Sequence, residues 1–330
     1  MRLAVAAHQG EVRSSWWRSR RLSRSIWFVH DQTYASFTPP DASDDMTPSG
    51  SRFAGVVTIL EWDILMPKAK LDELLAHRKT AWLRSIISLM LREMATSYGR
   101  SPGGYIWAIA EPVAGLLLLT VVFSFVLRSP PLGNNFPLFY ATGFLPFIFY
   151  TSITSRVGLA IRYSKPLLAY PKVSYFDAIV SRFLLNAMTN MVVSIIVFGG
   201  IIAFYDLNVT ANFMNILEAY GMVSILALSL GTLNCFLFMS FPVWEQIWSI
   251  LNRPMFILSS ILFVLEGISE PLRSIIWYNP LVHVIAKMRA GFYSTYDARY
   301  ASPFYVYSLS LIILFFSLLL LSRHYRSSNQ

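Results

Sequence analysis

From about residue 105 onward, long apolar runs alternate with short polar links, the pattern of a chain whose solvent is lipid rather than water. The hydrocarbon core of a bilayer is roughly 30 Å thick and takes about 20 mostly apolar residues per helical crossing. Runs of that kind extend from about Tyr105 to Leu127, Phe136 to Ser155, Phe183 to Tyr205, Ala219 to Phe241 and Pro303 to Leu321. Between the last two lies a charge-free but short run, Pro254 to Leu265. Starting its helix near Ile247 makes it a crossing and keeps Arg253 close to an interface. The pattern therefore predicts an all-α integral membrane fold with six transmembrane helices, and an even number of crossings returns both ends of the permease region to one face.

Two further patterns flank the crossings. Before the first, Trp82, Leu83, Ile86, Ile87, Met90 and Met94 share one arc of a 3.6-residue helix, with Arg84, Ser85, Ser88 and Arg92 on the other. A helix over residues 82–97 of that kind lies in the headgroup plane; a packed soluble helix is the alternative. Before the last crossing, Leu272 to Tyr278 and Leu281 to Phe292 are short apolar helical patterns separated by Asn279-Pro280, where the residue before proline avoids the α region. They predict a re-entrant or interfacial hairpin on the outer side, whose charges Arg273, Lys287, Arg289 and Asp297 need water or the protein interior. His283 can bond a substrate group there or a structural partner.

Composition agrees: 330 residues, 55% hydrophobic and 14% charged. The net charge of +9 is no nucleic-acid signal, because the excess sits largely in the N-terminal tail at residues such as Arg13, Arg18, Arg20, Arg21 and Arg24. Basic residues mark the cytoplasmic side. Arg162, Lys165 and Lys172 lie between spans two and three, and Arg323 and Arg326 follow the last; the opposite links hold Arg128 alone and no Lys or Arg between Asp206 and Glu218. Both termini are thus expected in the cytoplasm. Residues 1–80 read as a cytoplasmic tail, largely disordered, because the polar run Thr38 to Ser51 cannot bury enough apolar surface to offset ordering entropy. The basic stretch Ser14 to Arg24 is either a membrane-surface segment or part of that disorder, and Met46 is an alternative start. Residues 81–325 form the six-span domain and 326–330 a cytoplasmic C-terminal tail. Cys235 is the one cysteine, and the five histidines are scattered without metal-ligand spacing.

Particular strings carry a family resemblance. Leu91-Arg92-Glu93 through Tyr98, Gly104-Tyr105-Ile106-Trp107 and Glu111-Pro112 resemble the start of span one in the membrane subunits of ABC-type polysaccharide exporters. Phe241-Pro242-Val243-Trp244-Glu245-Gln246-Ile247-Trp248 and Asn279-Pro280-Leu281-Val282-His283 are similar to strings of the capsular polysaccharide branch. The resemblance spans roughly residues 80 to 325 and leaves out the N-terminal tail, which is longer than the family pattern. It implies a permease subunit of the bacterial inner membrane that works as a homodimer and exports a lipid-linked glycan. The chain has no Gly-x-x-x-x-Gly-Lys-[Ser/Thr] phosphate loop. ATP is then bound and hydrolysed by a separate cytoplasmic subunit, and the permease itself needs no cofactor. A periplasmic adaptor and an outer-membrane export channel are further partners to consider; nucleic acid is not.

Three sets of residues are candidates for the mechanism. In the link Ser164 to Pro171, Ser164 can cap a short helix that Pro171 stops, so Lys165, Pro166, Leu167, Leu168 and Tyr170 form one or two turns with exposed apolar residues. The resemblance makes this a coupling helix seated in the ATPase; the alternative is an ordinary surface turn. On span two, Phe136, Phe139, Tyr140, Phe144, Phe147 and Tyr150 lie within less than half of the helix circumference together with Gly143. Aromatic faces suit sugar C–H faces without strong selectivity, so they are a candidate glycan path, or else lipid-facing or dimer-packing aromatics. Glu111, Arg156, Arg182, Glu245, Arg253 and Glu266 are ionisable groups near membrane depth. They are read as lying near helix ends, where side chains reach water.

Other classes fit less well. A membrane-embedded glycosyl- or acyltransferase needs convergent acid and base groups, and none stand at a useful spacing. A secondary transporter needs charged or broken helices at the midplane, where this chain is overwhelmingly apolar. Within export, O-antigen, teichoic acid or a small hydrophobic drug are the alternatives to capsular polysaccharide.

Overall fold

The computed structural model describes residues 68–97, 103–168 and 174–327, with side chains described for all of these but 68–81, 97, 105, 166–168 and 325–327. The reading of residues 1–67 as a tail lies outside the described residues. Among the latter every regular element is helical. They are α1 (Lys68–Ser97), α2 (Gly104–Val126), α3 (Phe136–Gly158), α4 (Ala160–Leu168), α5 (Tyr175–Phe204), α6 (Phe213–Ser240), α7 (Trp244–Leu258), a 3₁₀ turn at Leu265–Gly267, α8 (Leu272–Trp277), α9 (Pro280–Phe292) and α10 (Pro303–Ser327). Five of them, α2, α3, α5, α6 and α10, are long and apolar enough to cross a membrane.

The elements begin where local chemistry lets them. Asn135 caps α3 by accepting the Leu138 N–H at 3.0 Å, with Pro137 in the first turn where its missing donor costs nothing. Ser174 and Asp177 form a reciprocal capping box, the Asp177 carboxylate accepting the Ser174 N–H at 3.0 Å. This box starts α5 at Tyr175 rather than at the expected Phe183, because hydropathy sees only the lipid-buried part of the helix. Asn212 caps α6 by accepting the Met214 and Asn215 N–H groups on its side-chain oxygen, ahead of the expected Ala219. The interface helix likewise begins at Lys68 instead of Trp82: no proline or glycine interrupts residues 68–97, and Ala, Leu, Lys, Arg and Glu favour helix throughout.

The fifth expected crossing differs most. In place of a helix from Ile247 to Leu265, α7 runs from Trp244 to Leu258, and the chain then turns through Ser259 and Ser260, the latter at φ 62°. At 15 residues α7 is too short to cross alone.

The core centres on α3, which packs against α2, α5, α6 and α9, while α6 also packs on α9 and α10. Close approach of α3 and α6 depends on Gly231: a Cβ there would stand 2.8 Å from Val157 Cβ. One end of this bundle carries α4 and the link to α5; the other carries α8 and α9.

Candidate functional site

Side chains that tie separate elements together collect at both ends of the bundle, and the end that carries α4 is the first of them. Only Leu159 separates α3 from α4, so the expected turn is the second half of a nine-residue helix bending off the end of α3. Ser164 is therefore not its cap but a buried residue on the face packed against the bundle, together with Ile161. Arg162, Tyr163 and Lys165 are exposed, Pro166, Leu167 and Leu168 continue the helix, and Tyr170 and Pro171 lie outside the described residues.

Two contacts leave α4. Arg162 Nη1 meets Glu245 Oε2 at 2.8 Å, joining α4 to the first turn of α7. Tyr163 offers its ring to the Arg182 guanidinium, 4.8 Å from the ring centroid. Arg182 in turn reaches back to α1, its Nη2 donating to Glu93 Oε2 at 2.9 Å while Nη1 donates to the Arg156 carbonyl at 3.3 Å. Both partners of the Arg182–Glu93 pair are largely buried, at 8% and 19% side-chain exposure, so water screens it little. A second clasp lies about three turns earlier on α1, where the Trp82 indole N–H donates to Asp177 Oδ1 at 2.9 Å. The expected interface residues divide accordingly. Ile86 is buried and Met90 half-buried on the side that faces α5, whereas Leu83 and Ile87 are exposed beside Arg84 and Arg92. A cavity of about 200 Å³ lined by Arg92, Glu93, Thr96, Tyr163, Ser181 and Arg182 lies at the junction.

The opposite end is organised by Arg289. It is wholly buried, its guanidinium donates to the carbonyls of Ser260, Ile261 and Phe263 at 2.7, 3.0 and 2.8 Å, and it lies 4.4 Å from the centroid of the Phe139 ring. Those carbonyls follow the end of α7, where no helical N–H four residues on is there to meet them. The Asn279 side-chain amide adds a donor to the Leu258 carbonyl at 3.0 Å, while its oxygen caps α9 by accepting the Leu281 N–H. His283 is also buried: Ser302 N–H donates to its Nδ1 at 3.2 Å, which leaves Nε2–H to donate to the Trp277 carbonyl at 2.9 Å. Burial holds the ring below the ordinary imidazole range, against the opposing pull of its backbone bonds. His283 is thus a structural residue joining α8, α9 and the start of α10. Nearby, the Tyr296 hydroxyl donates to the Glu266 carboxylate at 3.1 Å and lies 3.1 Å from Tyr300 Oη. Burial pushes the Tyr300 phenol up to about 12. A cavity of about 800 Å³ opens beside these residues, lined by Asn212, Asn215, Lys287, Ser294, Tyr296 and Asp297.

The aromatic set on α3 is mostly interior. Phe139, Tyr140, Phe147 and Tyr150 are buried within the single subunit, Phe139 beneath Arg289, and Phe136 and Phe144 keep partial exposure. Phe144 fits between α2 and α7: a Cβ on Gly115 would lie 2.7 Å from its Cζ, and the Phe256 ring is 6.2 Å away edge-on. No group of His, Cys, Asp and Glu among the described residues could hold a metal ion.

Sequence reasoning alone missed the roles of Glu93, Asp177 and Arg289. The Ser174-x-x-Asp177 spacing was a usable signal for the start of α5; the pairing of Arg182 with a glutamate 89 positions away was not.

Residues 84–293 match the ABC-2 type transporter family. The chain is 30% identical over 236 residues to the polysialic acid transport protein KpsM of Escherichia coli, covering 72% of this chain and 92% of that protein. It is 25% identical over 253 residues to the capsule polysaccharide export inner-membrane protein CtrC of Neisseria meningitidis serogroup B, covering 75% and 96%. Over 237 residues it is 22% identical to the capsule polysaccharide export inner-membrane protein BexB of Haemophilus influenzae, covering 72% and 89%.

Proposed function

The chain belongs to the ABC-2 type transporter membrane family, and from that membership we propose that it is the permease subunit of an ATP-driven exporter carrying a lipid-linked capsular polysaccharide across a bacterial inner membrane. The observation that carries the reading is coverage: proteins named for polysialic acid transport or capsule polysaccharide export match over 89% to 96% of their length, and the family match at residues 84–293 takes in four of the five crossing helices. Such a subunit does no covalent chemistry. Its task is to enclose a route and to change shape when a partner hydrolyses ATP.

In this reading α4 and the link after it are the coupling helix, docked on a separate cytoplasmic ATP-binding subunit through Lys165, Pro166, Leu167, Leu168, Tyr170 and Pro171. A push on α4 is passed on by Arg162 to α7, and through Tyr163 and Arg182 to α5 and α1. Both termini lie in the cytoplasm, α7 with the segment after it completes a sixth passage, and α8 and α9 form a re-entrant hairpin on the outer side. The subunit works as a homodimer, and its glycan path runs along the part of the α3 aromatic face that stays accessible, at Phe136 and Phe144. The irregular backbone after α7, tolerated because Arg289 satisfies it, fits a wall that faces protein rather than acyl chains.

The test is removal of the gene from its host. Polymer should vanish from the cell surface and accumulate inside, with recovery by the intact chain and co-purification of an ATPase. Normal surface polymer in the deletion strain would refute the assignment.

A further inference from the structure

Two charges stand on sparsely covered helices of the subunit. Glu111 on α2 and Arg253 on α7 are both exposed, and neither has a hydrogen bond or ion pair to any described residue. The rest of the subunit covers both helices sparsely: 11% of the apolar stretch of α2 is buried, and no residue of α7 is. Lipid can cover the apolar remainder of those faces. It cannot cover an ionised carboxylate two turns inside a crossing helix, or a guanidinium still further along α7, without a large cost in lost hydration.

The two charges also share a level. Phe144 fixes the reference, because it touches α2 at Gly115 and α7 at Phe256. Glu111 lies four residues before Gly115 and Arg253 three before Phe256, both toward the end that carries α4. At 1.5 Å per residue these offsets are about 6 and 4.5 Å. Each charge directly precedes a proline within its helix, Pro112 or Pro254, which removes the helical donor to the carbonyl of Ala108 or Ile250 and leaves a second polar group nearby.

We propose that Glu111 of one copy pairs with Arg253 of a second copy, reciprocally, about a two-fold axis along the membrane normal. Such an axis keeps depth and exchanges left for right. With α2 and α7 on either side of Phe144, the α2 of one subunit stands opposite the α7 of the other. Equal depth and opposite charge are what that symmetry requires of an isologous contact. The arrangement also turns the half-buried Phe144 of both copies toward the axis. The inference rests on the homodimer of the proposed function and adds which faces meet and which pair sets their register.

The experiment uses full-length chains in which Cys235 is replaced by alanine, co-expressed as two tagged versions, Glu111→Cys on one and Arg253→Cys on the other. A short bifunctional thiol reagent applied to membranes should join the two tags. In parallel, Glu111→Arg and Arg253→Glu should each lower surface polymer by about tenfold or more, and the double exchange should recover most of it, the mark of direct coupling. A double exchange no better than the single variants overturns the pairing, as does absence of the mixed-tag product from the cysteine pair when the wild type is dimeric, or free labelling of both cysteines by an impermeant thiol reagent. Light scattering of the wild type separates the two levels: a monomer removes the homodimer itself, whereas a dimer without cross-link or recovery removes only this contact.

Discussion

Helices α2 and α3 are each 23 residues long and adjacent in the chain, yet they occupy opposite positions in the molecule. Of the apolar stretch of α2, 11% is buried in the subunit, against 67% for α3, although α2 is the more apolar of the two. In water the order would be reversed. In lipid, apolar surface carries no penalty for facing outward, so helices associate through close packing and hydrogen bonds instead. α3 is built for that, with the Ser152 hydroxyl accepting from the Asn190 side-chain amide of α5 at 3.3 Å, and Val157 against Gly231 of α6. α2 is greasy because most of it faces something outside the subunit.

The largest expected effect tests the interior side of this contrast. Arg289→Met keeps an unbranched apolar stem but removes the guanidinium that donates to three carbonyls beneath α3. Hydrogen bonds to charged groups contribute about 1.5–3 kcal/mol each, and unmet buried carbonyls add their own penalty. A loss of about 3 kcal/mol or more is therefore expected, read as a large drop in the melting temperature of detergent-purified protein or as failure to accumulate. An unchanged melting temperature would mean that the backbone after α7 is satisfied by other means, and the contrast between covered and uncovered regions would lose its best support.

What the sequence made legible follows the same division. The starts of α2, α3 and α10 came out within a residue of expectation, because there a turn passes directly into an apolar run at residues 104, 136 and 303. The starts of α5 and α6 did not, since their first turns are polar and are set by Asn and Ser–Asp caps rather than by hydropathy. Leu265 looked like the end of a crossing because residues 254–265 are free of charge. What ends α7 at Leu258 is a distant arginine waiting to receive free carbonyls, and distance in the chain hides such partners. The aromatic set on α3 shares one face by its spacing, but which side of a membrane helix meets protein cannot be read from its apolar residues alone.

A smaller effect is expected at the end that carries α4, where α1 is held to α5 by groups that the interior does not fully enclose. Glu93→Gln keeps a hydrogen-bond acceptor for Arg182 but removes the charge, and a loss of about 1–2 kcal/mol is expected from a charged bond becoming neutral. Its diagnostic consequence is functional. The ATPase should still co-purify, while surface polymer falls several-fold, because a push on α4 would no longer be passed to α1 at full strength. Equal losses of ATPase binding and export would instead make Glu93 part of the docking surface.

The smallest effect is expected on α2 itself. Leu118 is 64% exposed in the subunit and shares the outward stripe with Glu111, one helical face and two turns apart. Leu118→Ala removes three side-chain carbons from a surface that detergent or lipid covers equally well in the folded and partly unfolded chain, so the melting temperature of the isolated subunit should move by less than the equivalent of about 0.5 kcal/mol. If a second copy covers this stripe, the same substitution acts on assembly: the dimer dissociates at higher protein concentration than the wild type, by a factor that light scattering over a dilution series can read. A shift in dissociation with none in subunit melting marks a face shared between copies, and no shift in either marks one that lipid alone covers.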